Sequence, residues 1–142
     1  MNNKNYICAP SDYAELAGIR DFVKSQALMF GFADDEASRI SLAVDEACTN
    51  LIRHAYKQDK QREFCIYIDK KNNQFIVRIN DNGAPFNPLE VNKPIMMDYF
   101  KNFQKGGLGI MLMRSVMDEI LYAPADSFNK QNTLTLTKFL NA

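Results

Sequence analysis

The run Asp45-Glu46-Ala47-Cys48-Thr49-Asn50 decides the fold, because two glycine-containing segments follow it in a particular order. Asn80-Asp81-Asn82-Gly83-Ala84-Pro85-Phe86 comes next, then Gly106-Gly107-Leu108-Gly109-Ile110. Together they describe a nucleotide site assembled from a helix, a strand end and a glycine turn. Any one of them alone says little.

The first run belongs to a helix. Ile40, Val44, Ala47, Leu51 and Ala55 form one apolar stripe at helical spacing. Asp34 or Asp35 can cap this helix, which runs to about Tyr56. Glu46 and Asn50 are four apart, so they share a face that flanks the stripe and looks into the gap between helix and sheet. A carboxylate there can accept a proton, and a carboxamide oxygen can ligate Mg²⁺, a hard cation. The alternative is a solvated Glu and a surface Asn. His54 extends the line by a turn, either to touch phosphate or the base, or as an ordinary helix residue.

Asp81 ends a strand. Phe64, Ile66 and Ile68 alternate with other residues, as do Phe75, Val77 and Ile79, and Asn72-Asn73 between them marks an antiparallel hairpin. Asn82-Gly83 also fits a hairpin turn, but no alternating strand follows it. A carboxylate at a strand end can accept a hydrogen bond from an exocyclic amine such as adenine's, and Gly83 lets a flat ring lie against the backbone. Gly106-Gly107-Leu108-Gly109 leads into a third helix reaching about Asp118. Adjacent glycines at a helix start can turn N–H groups toward phosphate oxygens, although the same residues also suit a flexible linker. They form neither a Walker A loop nor a GxGxxG turn after a strand.

The remaining segments complete one domain over residues 1–142. Tyr6 to Ala9 reads as a short strand stopped by Pro10. Ser11 is an N-cap candidate, Leu16, Ile19, Phe22, Val23 and Leu28 recur at helical spacing, and Gly31 ends that helix. Residues 87–105 read as a long loop with one short helix around Met96 to Phe103. Ile120 to Ala123 and Thr133 to Phe139 read as closing strands, and Met111, Met113 and Met117 as core. The expected architecture is an α/β two-layer sandwich: a mixed sheet of about five strands covered on one face by helices.

Composition narrows the function. Lys+Arg and Asp+Glu both number 17, so the basic excess of a general nucleic-acid binder is missing. No run has the ~18–20 apolar residues that span a bilayer, and Met1 to Asn5 lacks a signal-peptide core. The expectation is a cytoplasmic protein with neither a membrane nor a nucleic acid as direct partner. Cys8, Cys48 and Cys65 are odd in number and match no zinc spacing, so three buried reduced thiols are expected. His54 is the single histidine, which argues against a metal site built from Cys and His.

In order and spacing, the three segments resemble the asparagine box and the two glycine boxes of the GHKL (Bergerat-fold) ATPases. The finer text resembles the anti-sigma-factor serine/threonine kinases within that superfamily. It comprises Glu46 to Asn50 with Arg53-His54-Ala55-Tyr56, Asp81 to Phe86, and Gly106 to Met113 with Met117-Asp118-Glu119. The resemblance runs from the first strand to Lys138.

It implies the following roles. Asn50 would hold the Mg²⁺ that bridges the phosphates of ATP, and Glu46 would be the general base. Asp81 would bind the adenine amino group, with Gly83 beside the ring and His54 near the nucleotide. Gly107 and Gly109 would close over the phosphates as the hinge of a lid spanning residues 87–105, with Gly106 and Leu108 also assigned to the nucleotide. Lys101 or Lys105 would supply the lid cation, Lys105 being the one assigned to the site. The acceptor would be a serine or threonine on a STAS-type anti-anti-sigma protein, and the kinase would also sequester a sigma factor, commonly as a homodimer. The competing readings are a nucleotide-binding partner-switching module with little or no kinase activity, and the catalytic domain of a histidine kinase. There is one departure from the family pattern. Its last strand often opens with Gly-Thr, where this chain has Gln131-Asn132-Thr133. Either Asn132 or Thr133 substitutes, with Thr133 the residue assigned to the site, or nucleotide affinity is reduced.

Overall fold

A computed structural model describes residues 4–90 and 107–141 of the chain. Five strands form one sheet in the order β1-β2-β3-β5-β4. They are β1 (Tyr6–Pro10), β2 (Glu63–Lys71), β3 (Gln74–Asp81), β4 (Glu119–Ala123) and β5 (Asn132–Phe139). Three helices, α1 (Leu16–Phe30), α2 (Asp34–Asn50) and α3 (Gly107–Val116), pack against it. The two-layer α/β sandwich is therefore present. All four strand pairings are antiparallel, so the sheet is not mixed. The path from β3 to β4 skips one position, and β5 fills the gap, pairing antiparallel with both neighbours.

Side-chain alternation explains the layering. Phe64, Ile66 and Ile68 of β2, Phe75, Val77 and Ile79 of β3, and Leu134 and Leu136 of β5 are all buried. Residues of opposite parity, such as Tyr67, Arg78 and Thr133, lie on the other face. The hairpin turn falls at Asn72-Asn73 as expected, with Asn72 taking a positive φ of 57°. On α2, Ile40, Val44, Ala47 and Leu51 are buried, and Ala55 continues the stripe beyond the helix end. In α1, Ile19 and Val23 are buried but Leu28 is 41% exposed. Met113 and Met117 are core, whereas Met111 is 45% exposed.

Three local expectations change. Ser11 does not cap α1. It is fully buried, and Asp12 instead accepts from Ala14 N at 3.0 Å to open a 3₁₀ turn ahead of the helix. At α2 the cap position falls on Ala33, and Asp34, Asp35 and Glu36 occupy the first turn, where their charge favours the helix dipole. Cys8 and Cys65 are not reduced thiols. The β1–β2 register sets them directly opposite, Cα–Cα 4.0 Å, and they form a disulfide. Cys48 is buried and free, and burial pushes its thiol well above the ordinary range.

Candidate nucleotide-binding site

The site begins where α2 changes pitch. Beyond Asn50 the chain continues as a π turn, Leu51–Ala55, closed by Tyr56 N donating to Leu51 O at 3.0 Å. Such widened turns recur at functional sites. Here it turns the Ala55 carbonyl to the loop after β3, where it accepts from Ala84 N at 3.0 Å. Tyr56 holds the same loop. Its hydroxyl donates to Glu63 O at 2.6 Å and accepts from Asn82 N at 3.0 Å. The Arg62 guanidinium stacks on the Tyr56 ring and donates to Asn82 O at 2.8 Å.

Gly83 sits where these elements meet. A Cβ there would come within 2.6 Å of both Ala55 O and Tyr56 Cδ1. The π turn after α2 and Tyr56 are therefore enough to require a glycine here. Gly83→Ala should lower stability by about 1–3 kcal/mol, the usual cost of overpacking a rigid contact. Denaturant unfolding checks this; an unchanged midpoint would show that the loop yields.

A narrow cleft opens between α2 and the sheet. Ala47, Leu51 and Ala55 wall it on the helix side, Ile79 and Leu134 on the sheet side, and Phe86, Pro88 and Tyr122 at the mouth. Two polar residues line it, Asn50 and Asp81. Asn50 is 4% exposed, and its Nδ2 has no hydrogen-bond partner among the described residues. A buried unpaired amide costs free energy unless something pairs with it. An anionic ligand oxygen fits that donor, and the carboxamide Oδ1 is the atom suited to a hard cation.

Asp81, the last residue of β3, is 7% exposed. Its Oδ1 accepts from Gly83 N at 2.9 Å and from Asn132 Nδ2 at 3.0 Å. Burial pushes its carboxyl above the ordinary value; the Asn132 and Gly83 hydrogen bonds and the Arg62 charge oppose that.

Glu46 and its neighbour diverge because adjacent helix residues point about 100° apart. Asp45 turns to α1 and pairs with Arg20 at 3.1 Å. Glu46 turns to the first turn of α3, where its carboxylate lies directly against Gly109. Burial and the Asp45 charge raise its pKa, and Arg53 opposes them. The carboxylate therefore sits at a helix N-terminus, one turn of α2 from Asn50.

The structure thus brings Glu46, Asn50, Asp81 and Gly109 to one cleft and its rim. The other expected site residues among those described do not line the cleft itself. His54 is exposed and does not line the cleft; it stacks on Phe86 with ring centroids 4.4 Å apart, and burial lowers its pKa. Thr133 points to the opposite face of the sheet, because Asn132 and Leu134 take the inward positions. Gly107 and Leu108 open α3. Lys101, Lys105, Gly106, the expected helix near Met96 to Phe103 and most of the lid, residues 91–106, lie outside the described residues. The lid's start is described. Pro88–Glu90 forms a 3₁₀ turn, and Arg114 of α3 donates to Leu89 O at 3.0 Å.

Three cleft residues escaped the sequence reading, Phe86, Pro88 and Tyr122, and of the two alternatives at the start of the last strand it is Asn132 that points inward. Tyr122 accepts from Phe86 N at 3.1 Å and so fixes the mouth. Strand parity could have flagged Asn132, since Leu134 and Leu136 share its face.

The family model for the histidine kinase-like ATPase domain matches residues 9–138. The chain belongs to that family. ATP binding follows from membership. This ATPase domain is also 29% identical over 140 residues to Serine-protein kinase RsbW of Bacillus mycoides (strain KBAB4), spanning 92% of this chain and 81% of the relative. Serine-protein kinase RsbW of Bacillus anthracis matches with the same identity and coverage. Two solved structures share the fold. One, the SiaB-SiaC complex from Pseudomonas aeruginosa, superposes with a TM-score of 0.62 over 95% of this chain and 89% of that one, at 11% identity. The other, the histidine kinase domain of a blue-light activated histidine kinase from Erythrobacter litoralis, has a TM-score of 0.52 over 92% and 61%, at 17% identity. No helix among the described residues is long and apolar enough to cross a membrane.

Proposed function

We propose that this chain is an ATP-dependent serine/threonine protein kinase acting as an anti-sigma factor. It phosphorylates a STAS-type anti-anti-sigma protein and sequesters a sigma factor, the two partners competing for one kinase. The observation that carries the reading is the Glu46 carboxylate at the N-terminus of α3, one helical turn from a buried Asn50 with an unpaired amide. A proton acceptor one helical turn from a buried, unpaired N–H donor supports phosphoryl transfer as the reaction of this cleft. The likeness to proteins named serine-protein kinase, over most of both chains, supports the choice of acceptor.

The chain's residues divide the work. Asp81 accepts from the adenine amino group at the far end of the cleft, between the apolar walls of α2 and the sheet. Asn50 would hold Mg²⁺, which supplies charge neutralisation between phosphate oxygens when bound. The first amides of α3 face the phosphates, where the helix field favours negative charge. Glu46 takes the proton from the attacking hydroxyl. Transfer of this kind depends mainly on positioning and electrostatics, which this arrangement supplies.

Incubating the purified protein with γ-labelled ATP, Mg²⁺ and a STAS-domain protein tests the reading. Label on a serine or threonine of that protein is expected. Tight nucleotide binding without transfer to any STAS protein would instead leave a nucleotide-dependent binding module. Asn50→Ala should weaken Mg-ATP binding by about 10- to 100-fold, as for loss of a polar contact to a charged group. Stability should hold within about 1 kcal/mol, because the buried Nδ2 it removes has no hydrogen-bond partner among the described residues. Calorimetric titration with and without Mg²⁺ decides; an unchanged dissociation constant removes Asn50 as a ligand.

A further inference from the structure

We propose that Asn132 is the positioning residue of the adenine pocket. Its carboxamide locks the Asp81 carboxylate in one orientation, leaving Oδ2 as the acceptor that selects a purine 6-amino group over a 6-oxo group. The inference rests on the ATP-binding reading and assigns the selectivity of that same site.

The geometry starts from strand register. Asp81 and Asn132 are directly paired across β3 and β5. Both point into the helix-facing layer, at 7% and 1% exposure. Ala125 N donates to Asn132 Oδ1 at 2.8 Å. A backbone N–H can only donate, so this bond fixes which end of the amide is oxygen and turns the nitrogen to Asp81. Nδ2 then donates to Asp81 Oδ1 and to Gly83 O, both at 3.0 Å. The oxygen and both N–H groups of Asn132 are engaged. No donor remains for a ligand, so Asn132 acts through Asp81.

Asp81 is constrained in turn. Oδ1 receives two bonds, from Gly83 N and Asn132 Nδ2. Among the described residues nothing donates to Oδ2. The plane of the carboxylate is thereby set, with one oxygen spent and one available at the cleft. An amino group can donate to that oxygen, whereas a 6-oxo group would meet it lone pair to lone pair.

The same bond bears on ionisation. Burial favours a neutral Asp81, and the Asn132 bond is the largest opposing effect, followed by Gly83 N and Arg62. The other titratable groups that sense Asp81 are Tyr56, at the end of the π turn, and Tyr122 on β4. Neither donates to the carboxylate; their hydroxyls are engaged with Glu63 O and Phe86 N. Without Asn132, Asp81 would protonate more readily and could donate to a 6-oxo group. Selectivity would fall from both directions.

ATP and inosine triphosphate differ only along the purine C6–N1 edge, 6-amino with a bare N1 against 6-oxo with N1–H, so the ratio of their dissociation constants reads the edge that meets Asp81. Wild type should prefer ATP by about tenfold or more, and Asn132→Ala should lose most of that preference. Asn132→Thr keeps one donor on a strand-compatible side chain and should fall between them; it also decides the matter if the alanine variant does not fold. Folded variants with the wild-type ratio would overturn the proposal. A second readout needs no nucleotide. The carbon-13 titration of the Asp81 carboxyl should move to higher pH in Asn132→Ala, and an unmoved midpoint counts against the proposal. If wild type binds neither nucleotide, the ATP reading fails, and this titration still judges whether Asn132 holds Asp81.

Discussion

Glu46→Gln is expected to cut phosphoryl transfer by about 10²- to 10⁴-fold, the usual worth of a positioned general base, with ATP binding nearly unchanged. Gln keeps the volume and can still accept a hydrogen bond, but it cannot take a proton at neutral pH. The residue lies against the first turn of α3 and is not among those lining the cleft, so Asp81 and the apolar walls are untouched. The wild-type rate should also carry a pH signature. Burial and the Asp45 charge raise Glu46 above the ordinary carboxylate value. A base works only when ionised. Activity should therefore fall as pH drops through that raised pKa, at higher pH than for a solvent-exposed carboxylate. In Glu46→Gln this limb should disappear along with most of the rate. Single-turnover transfer across a pH series separates the possibilities. A mutant as fast as wild type, with the same pH profile, would remove Glu46 as the base.

The placement of Glu46 and Asn50 was legible because one helix face carries it. A stripe at helical spacing fixed which side of α2 is buried, and both residues flank that stripe. Asp81 was legible for a similar reason: strand alternation in β3 put it in phase with Phe75, Val77 and Ile79. What escaped depends on pairing between distant segments. Cys8 meets Cys65, and Asn132 meets Asp81, through register, which periodicity within one strand does not specify. Thr133 went wrong by a single residue, and a single residue in a strand moves a side chain to the other face. The sheet was expected to be mixed, but β5 inserts between β3 and β4 and pairs antiparallel with both. The surroundings of His54 were not legible because a regular α-helix was extended through it, whereas the chain after Asn50 is a π turn and the imidazole stacks on Phe86, which lines the cleft. The cap of α2 escaped because Asp34 and Asp35 are equally good sequence signals, and the chain enters the helix one residue earlier.

Gly109→Ala is expected to separate stability from activity. A Cβ at this position would lie 2.9 Å from Glu46 Cδ and 3.1 Å from Glu46 Cβ, and nearer still to a carboxylate oxygen. The two nearest obstructing atoms are the end of a flexible side chain, so the Glu46 carboxylate swings aside, the Cβ contact yields by a few tenths of an ångström, and the chain folds. Alanine is favoured over glycine within a helix by about 1 kcal/mol, which offsets the crowding, and the melting temperature should hold or rise slightly. Transfer should nevertheless drop by about 10²-fold, the penalty that a displacement of about 1 Å can impose on a reacting group. The cause can be isolated with the double variant. If Gly109→Ala acts by displacing the base, then Glu46→Gln combined with Gly109→Ala should be no slower than Glu46→Gln alone, because the group being displaced is already inactive. Coupled residues show this non-additivity, and independent ones do not. Losses that simply multiply would mean that the glycine serves the phosphates directly, through backbone approach at the start of α3, and that its contact with Glu46 is incidental.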